Sequence, residues 1–203
     1  MRAGILAGLT WAIETMLLSG ALNLPFFAKN LQLAFLAPFI CAFLHDSCSS
    51  LLLAGQGAWR AWQRQYWWIV LAAAIGGVKP SHALQIRQTA SAIVSGLLLL
   101  ALLPAGIFFH PPLGQGRLWL FIAFASAFAT VSYLFYYKAI DQLGPSKAMA
   151  LNVTSSAWAY LFTVFSGQWD LVNGKSLFFA LLVFAGSILT AGDWQELFKR
   201  GDQ

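Results

Sequence analysis

Apolar residues run along this chain in long blocks, separated by short breaks rich in glycine, proline or polar residues. Blocks long enough to cross a bilayer as helices cover 4–22, 31–54, 88–109, 118–137, 148–168 and 176–192. A further block, 66–78, reads YWWIVLAAAIGGV. As a helix it reaches only about 20 Å against a hydrocarbon core of about 30 Å, and Gly76-Gly77 and Lys79-Pro80 stop it. The pattern predicts an all-α integral membrane protein with about six transmembrane helices and one short re-entrant or interfacial segment over 66–82.

Composition supports that class. Of the 203 residues 59% are hydrophobic and only 9% charged, and the mean hydropathy of +0.69 is far from a soluble domain's balance. Seventeen Phe and nine Trp suit lipid-facing surfaces and interfacial belts. The expected partner is therefore the lipid bilayer. A net charge of +5 on so few charges is what cytoplasmic loops produce, and it implies no nucleic-acid partner. Cys41 and Cys48 share a face of one helix but lie two turns apart, too far to bridge. Arg2 followed by an apolar run raises a cleaved signal peptide. Glu14 in mid-run, the length of that run and the further spans argue instead for a retained first helix.

The positive-inside rule decides whether 66–78 crosses. If it does not, and the N-terminus is cytoplasmic, the inside holds nine cations: Arg2, Arg60, Arg64, Lys79, Arg87, Lys138, Lys147, Lys199 and Arg200. The outside then holds three, Lys29, Arg117 and Lys175. If it crosses, only five stay inside: Arg2, Arg60, Arg64, Arg117 and Lys175. The first arrangement is the expected one, with both termini cytoplasmic.

Polar residues inside the blocks are the candidate chemistry. Glu14 sits near mid-depth of the first span, beside a stripe of Gly4, Gly8, Thr15 and Ser19. An ionised carboxylate there costs about 2.5–3.5 kcal/mol on insertion scales, so Glu14 should face the bundle interior or a wet cavity. It reads as a proton or cation site, or else as a protonated side chain bonded to a neighbouring helix. The second span carries His45 and Asp46, with Pro38, Cys41, His45 and Ser49 on one stripe. A His and an Asp at membrane depth can relay a proton or orient a polar substrate, or serve as a structural contact between spans. Adjacent residues project about 100° apart on a helix, so the two side chains are not expected to face each other. No third ligand stands at metal spacing, and no cofactor motif or nucleophile marks an enzyme. Arg87, opening the third span, reads as snorkelling to headgroups or pairing with a carboxylate.

The segment from Ser132 to Trp158 joins two spans through Leu143-Gly144-Pro145-Ser146. Ser126, Thr130, Tyr133 and Tyr137 form a polar-aromatic stripe before the turn. Asn152, Ser155, Ser156, Ala159, Thr163 and Ser166 form another after it, with Trp158 alongside. Two such faces can meet around a small-molecule cavity or pack tightly through small residues.

At this hairpin the chain resembles a known family. LFYYKAIDQLGPSKAMALNVTSSAWAYLF is similar to the penultimate helix pair of the drug/metabolite transporter superfamily, in its EamA-type group. GILAGLTWAIETMLLSGAL resembles the group's first helix, LAPFICAFLHDSCSS its second, and HALQIRQTASAIVSGLL part of a later one. The resemblance implies ten helices in two inverted five-helix repeats, with substrate held between them near the midplane. With about six spans, the fold implied is an incomplete ten-helix inverted-repeat transporter forming one membrane domain. Residues 1–78 would be a remnant of the first repeat and 79–203 most of the second, joined near Gly76–Pro80.

The expected function is a transporter of small metabolites or drugs by alternating access, coupled to a proton through Glu14 or the His45/Asp46 region. Tyr133, Tyr137, Asn152 and Trp158 are the expected cavity walls. The missing block implies a second chain, most simply a homodimer. The alternative is a non-transporting remnant or partner subunit. The membrane implied is the bacterial cytoplasmic one. A single cysteine placed at Ser81 is expected to react with an impermeant thiol reagent only from the cytoplasmic side. Reaction from outside would invert the later spans and remove the six-span reading.

Overall fold

Helices in this protein begin and end where the sequence supplies a proline, a glycine or a polar cap. The computed structural model describes residues 1–29, 31–57, 79–102, 114–166 and 173–192. The apolar run 66–78, expected to be re-entrant or interfacial, lies outside the described residues. In chain order the helices are α1 (Arg2–Leu22), α2 (Leu31–Gly55), α3 (Pro80–Ala101), α4 (Gly116–Leu143), α5 (Pro145–Asn152), α6 (Ser155–Phe165) and α7 (Gly174–Ala191). A 3-10 turn, Phe27–Lys29, precedes α2. Among the described residues there is no strand, and six helical stretches are long and apolar enough to cross a membrane, α5 and α6 counting as one. The described residues make an all-α protein with six helices able to span a bilayer.

Two expected boundaries move. The third span was placed from 88, after the polar Gln85, Arg87 and Gln88, and residues up to 82 were assigned to the short segment before it. The helix instead starts at Pro80, behind an extended Lys79. Proline suits a first helical position because its fixed φ fits and its missing N–H needs no partner there. The helix runs on through Gln85 and Gln88 because both are buried, at 2% and 3% exposed. Hydropathy alone counts those residues as a boundary, whereas the fold hides them. At the other end, residues 103–109 lie outside the described ones.

The fifth span is not one regular helix. Thr154 N–H donates to Leu151 O at 3.2 Å and Ser156 N–H to Val153 O at 3.2 Å, three residues back rather than four. The Thr154 hydroxyl donates to Leu151 O at 2.6 Å, the kind of back-bonding that tightens and bends a helix. The break turns the expected polar stripe out of line. Ser156 and Ser166 are exposed, while Leu151, Thr154 and Ala157 are buried.

The chain forms two compact units, one of Met1–Ala12 with Phe135–Gln203 and the other of Ile13–Leu134. In the first, α4 closes with Gly144 N–H donating to Ile140 O at 2.9 Å, and α5 opens at Pro145. Gly144 has φ 80°, a conformation glycine adopts at little cost and other residues resist. Ala3, Ala139 and Ala148 form a small core beside Phe135, Tyr136 and Ile140. Helix α7 packs along α5 and α6. Helix α1 presses on the α5–α6 junction through glycine. A Cβ at Gly4 would lie 2.6 Å from Leu151 Cδ1, and one at Gly8 would strike the Thr154 hydroxyl and lie 3.2 Å from Leu151 O. Only the missing side chains permit this approach.

In the second unit α2 and α3 pack antiparallel, with Gly96 against Phe43 at one end and Ser50 bonded to Thr89 at the other. The apolar core holds Phe27, Leu36, Ile40, Cys41, Leu99, Leu118 and Ile122 among others. Hydroxyls tie its helices together. Ser49 Oγ and Thr130 Oγ1 lie 2.7 Å apart, both buried, and Thr130 also donates to Ser126 O at 2.7 Å. With Thr130's one hydrogen engaged there, Ser49 is the donor between α2 and α4.

The glycine contact in the first unit yields a test. Gly8→Ala is expected to destabilise the protein by about 1–3 kcal/mol, the usual effect of overpacking. The control is Gly174→Ala, where an added Cβ meets nothing within 4 Å. Thermal unfolding in detergent compares them, and equal melting of the two variants would remove the close-approach account.

Candidate functional site

Polar atoms from four helices meet inside the second unit. Glu14 comes from α1, His45 and Asp46 from α2, Arg87 and Ser91 from α3, and Tyr133 from α4. The His45 ring stands between the two carboxylates. Its Nδ1 is 2.9 Å from Asp46 Oδ1, and its Nε2 is 3.6 Å from Glu14 Oε1. All three side chains are largely hidden, with 9% of His45, 12% of Glu14 and 13% of Asp46 exposed.

The contact between neighbours corrects the expectation that His45 and Asp46 cannot face each other. The 100° rule describes Cβ directions. The imidazole Nδ1 sits close to its own backbone and reaches sideways around the helix, where a short Asp side chain can meet it. The two carboxylates lie against different ring nitrogens.

The remaining bonds fix donors and acceptors. Ser91 Oγ donates a short hydrogen bond to Asp46 Oδ2. An ionised carboxylate only accepts, so with Asp46 ionised one hydrogen comes from Ser91 and one from His45 Nδ1. In the neutral ring Nε2 is then a bare acceptor. It is buried, it has no hydrogen-bond partner, and it is aimed at Glu14 at a separation longer than a hydrogen bond. Two charge arrangements satisfy this contact with the same single proton. It rests either on Glu14, with His45 neutral, or on His45, with Glu14 ionised. The Ser126 hydroxyl, 2.7 Å from Ile122 O and 3.0 Å from His45 O, holds the His45 backbone against α4.

Arg87, read as snorkelling or pairing with a carboxylate, stacks on Tyr133. Its guanidinium carbon lies 4.1 Å from the centre of the Tyr133 ring, and one N–H donates to the Tyr133 hydroxyl at 2.8 Å. Stacking on an aromatic face suits the planar guanidinium. Arg87 and Ser91 stand one turn apart on the same face of α3. That spacing of polar residues within an apolar block was the available signal for Ser91, which sequence reasoning passed over.

The other expected residues lie in the first unit. Tyr137 is 8% exposed, with its ring 6.1 Å from that of Tyr136. Asn152, 7% exposed, ends α5 with its side-chain oxygen buried and unbonded. Trp158 packs edge-on against Phe184 of α7 at 5.9 Å, and its indole N–H is buried without a hydrogen-bond partner. Glu14, His45, Asp46 and Tyr133 are thus assembled together in the second unit, while Tyr137, Asn152 and Trp158 belong to the first.

A separate groove of about 690 Å³ runs between α2 and α3, lined by Phe43, Ser47, Ser50, Thr89, Gly96 and Leu97 among others. Among the described residues no charged one lines it. Behind its hydroxyls the Gln85 side-chain N–H group donates to Ser50 at 2.7 Å and to Thr89 at 3.1 Å. Thr89 donates to Gln85 O at 2.8 Å, so Ser50 is the donor to Thr89 and the three side chains form one ordered set.

No family model and no solved structure matches this chain. Among curated proteins it is similar to Protein LicB of Haemophilus influenzae, 38% identical over 82 residues. The match covers 40% of this chain and 26% of LicB, so the chain matches about a quarter of that protein's length.

Proposed function

We propose that this chain is a membrane transporter of the drug/metabolite transporter type, moving a small polar or amphipathic metabolite by alternating access with a proton as the coupling ion. The observation that carries the reading is the contact of Glu14 with His45. A carboxyl oxygen lies 3.6 Å from an imidazole nitrogen within helices long enough to span a membrane. Intramembrane ionisable groups of this kind mark ion and proton pathways by default.

A proton fits the site better than a metal cation. Both Asp46 oxygens are engaged by hydrogen-bond donors, and the atom facing Glu14 is a nitrogen that a proton satisfies directly. Tyr133, with Arg87 on its face, is the aromatic wall nearest this chemistry. Tyr137, Asn152 and Trp158 remain the candidate walls on the hairpin side. The unbonded polar atoms of Asn152 and Trp158 are available to a solute's own donors and acceptors. The reading involves no covalent step, so the protein is not an enzyme. It places the protein in the bacterial cytoplasmic membrane with both termini cytoplasmic.

One observation favours a second reading. The six helices able to span among the described residues fall short of the ten that the family resemblance implies. On that reading the chain is a non-transporting remnant, or a subunit whose pathway is completed by another chain, a second copy being the simplest.

Proteoliposomes loaded with a pH indicator separate the two. A panel of small polar and amphipathic metabolites is applied outside, and solute entry and internal pH are followed together. Wild-type protein is expected to move protons with one of the solutes. Glu14→Gln and His45→Ala are expected to fall to the level of empty vesicles at normal expression. If both variants match wild type for every solute moved, proton coupling at this site is wrong. If wild-type protein moves none, the second reading stands.

A further inference from the structure

We infer that Ser91 is a positioning residue for the proton site. By holding Asp46, its hydroxyl keeps His45 in the single tautomer that leaves Nε2 bare towards Glu14. The inference rests on the proton reading given above and goes further by naming what sets the direction of proton exchange.

A neutral imidazole can carry its hydrogen on either nitrogen, and the bond made by one nitrogen fixes the role of the other. Here Nδ1 has a carboxylate oxygen at 2.9 Å, so the hydrogen is drawn to Nδ1. That partner is a neighbour on the same helix, and Asp46 has its own freedom to turn away by rotating about its side-chain bonds. What prevents rotation comes from another helix. Ser91, from α3, donates to the other oxygen of the same carboxylate, so the two Asp46 oxygens are held from two directions. His45 receives its Nδ1 bond as a consequence.

The arrangement gives Nε2 its job. With Nδ1 occupied as donor, Nε2 can only accept, and the group facing it is the Glu14 carboxyl. Transfer then breaks one O–H bond on Glu14 and forms one N–H bond on Nε2, leaving a carboxylate beside an imidazolium whose other N–H already points at Asp46. No other reactant is needed. In the opposite tautomer Nε2 would carry the hydrogen and could take nothing from Glu14. Ser91 touches neither Glu14 nor the exchanging proton, so its effect runs entirely through Asp46 and the ring.

The test reads the tautomer itself. Protein labelled with ¹⁵N-histidine is reconstituted in lipid bilayers, and solid-state NMR distinguishes protonated from bare ring nitrogens. The sequence has three histidines, and a His45→Gln sample identifies the His45 signals by their loss. Wild type is expected to show one neutral form of His45 with the hydrogen on Nδ1. Ser91→Ala is expected to show both tautomers, and Ser91→Thr, which keeps the hydroxyl, to restore the single form. A single Nδ1-protonated form in Ser91→Ala overturns the inference, as does a wild-type ring protonated on Nε2. Mixed tautomers in both variants overturn it too, because side-chain shape and not the hydroxyl would then be holding Asp46. None of these outcomes depends on flux. Failure of the proton reading is seen separately, as unchanged transport in Glu14→Gln.

Discussion

An imidazole held between two carboxylates within apolar helices constrains everything around it. A carboxylate turned to lipid is strongly unfavourable, and pairing inside the protein is the alternative. Glu14 and Asp46 therefore settle how α1 and α2 are rotated about their own axes. Ser91 does the same for α3. Once those faces turn inward, the opposite faces meet lipid, and they carry what lipid accepts. Leu51 is 72% exposed, Leu97 59% and Ile93 51%. Burial of apolar surface does not select this arrangement, since lipid tails are as apolar as leucine. The polar contacts select it.

Hydroxyl groups supply the rest of the cohesion in that unit. Ser49 with Thr130 joins α2 to α4, and Ser50 with Thr89 and Gln85 joins α2 to α3. Measured interhelical hydrogen bonds in membranes average about 0.6 kcal/mol, so none of these is decisive alone. Their value lies in direction. Thr130 and Thr89 each bind a carbonyl four residues back, which leaves one possible donor for every remaining contact. Sliding either helix by a turn would break that order at several points together. The first unit uses a different device, the bare glycine surface of α1 against the tightened α5–α6 junction. There the constraint is space.

Residue patterns made the helices legible, and the site partly so. Runs of apolar residues and the Gly144-Pro145 turn located six spans because length and helix-stopping chemistry are local properties. The start of α3 was misplaced because Gln85 and Gln88 look like a boundary in hydropathy, and only tertiary burial shows that they are not. The stripe drawn through Asn152, Ser155, Ser156, Ala159, Thr163 and Ser166 is split between buried, half-buried and exposed positions. One Thr154 hydroxyl bond shifts the helical phase, and no count of residues anticipates it. Glu14, His45 and Asp46 stood out because charge in an apolar run is conspicuous. Ser91 did not, because a serine in such a run is ordinary until its partner is known. The His45–Asp46 contact was argued away by a rule about Cβ directions that ignores how far a ring nitrogen reaches.

The proton site and the solute pathway have different requirements. Glu14, His45, Asp46, Ser91, Arg87 and Tyr133 all fall within one compact unit of a single chain, Ile13–Leu134. The contacts named among them run between α1, α2, α3 and α4. On the proposed reading, the proton site therefore needs no second chain. Alternating access, the mechanism proposed, needs a second body against which the first can rock, and the six spans among the described residues are fewer than an inverted-repeat transporter uses. On the proposed transporter reading, a lone copy holds the Glu14–His45 contact yet carries nothing across. Coupling on that reading requires a second body that turns the proton's position into a choice between two packed arrangements. Proton occupancy and solute movement are then separable, and a second chain is what would join them.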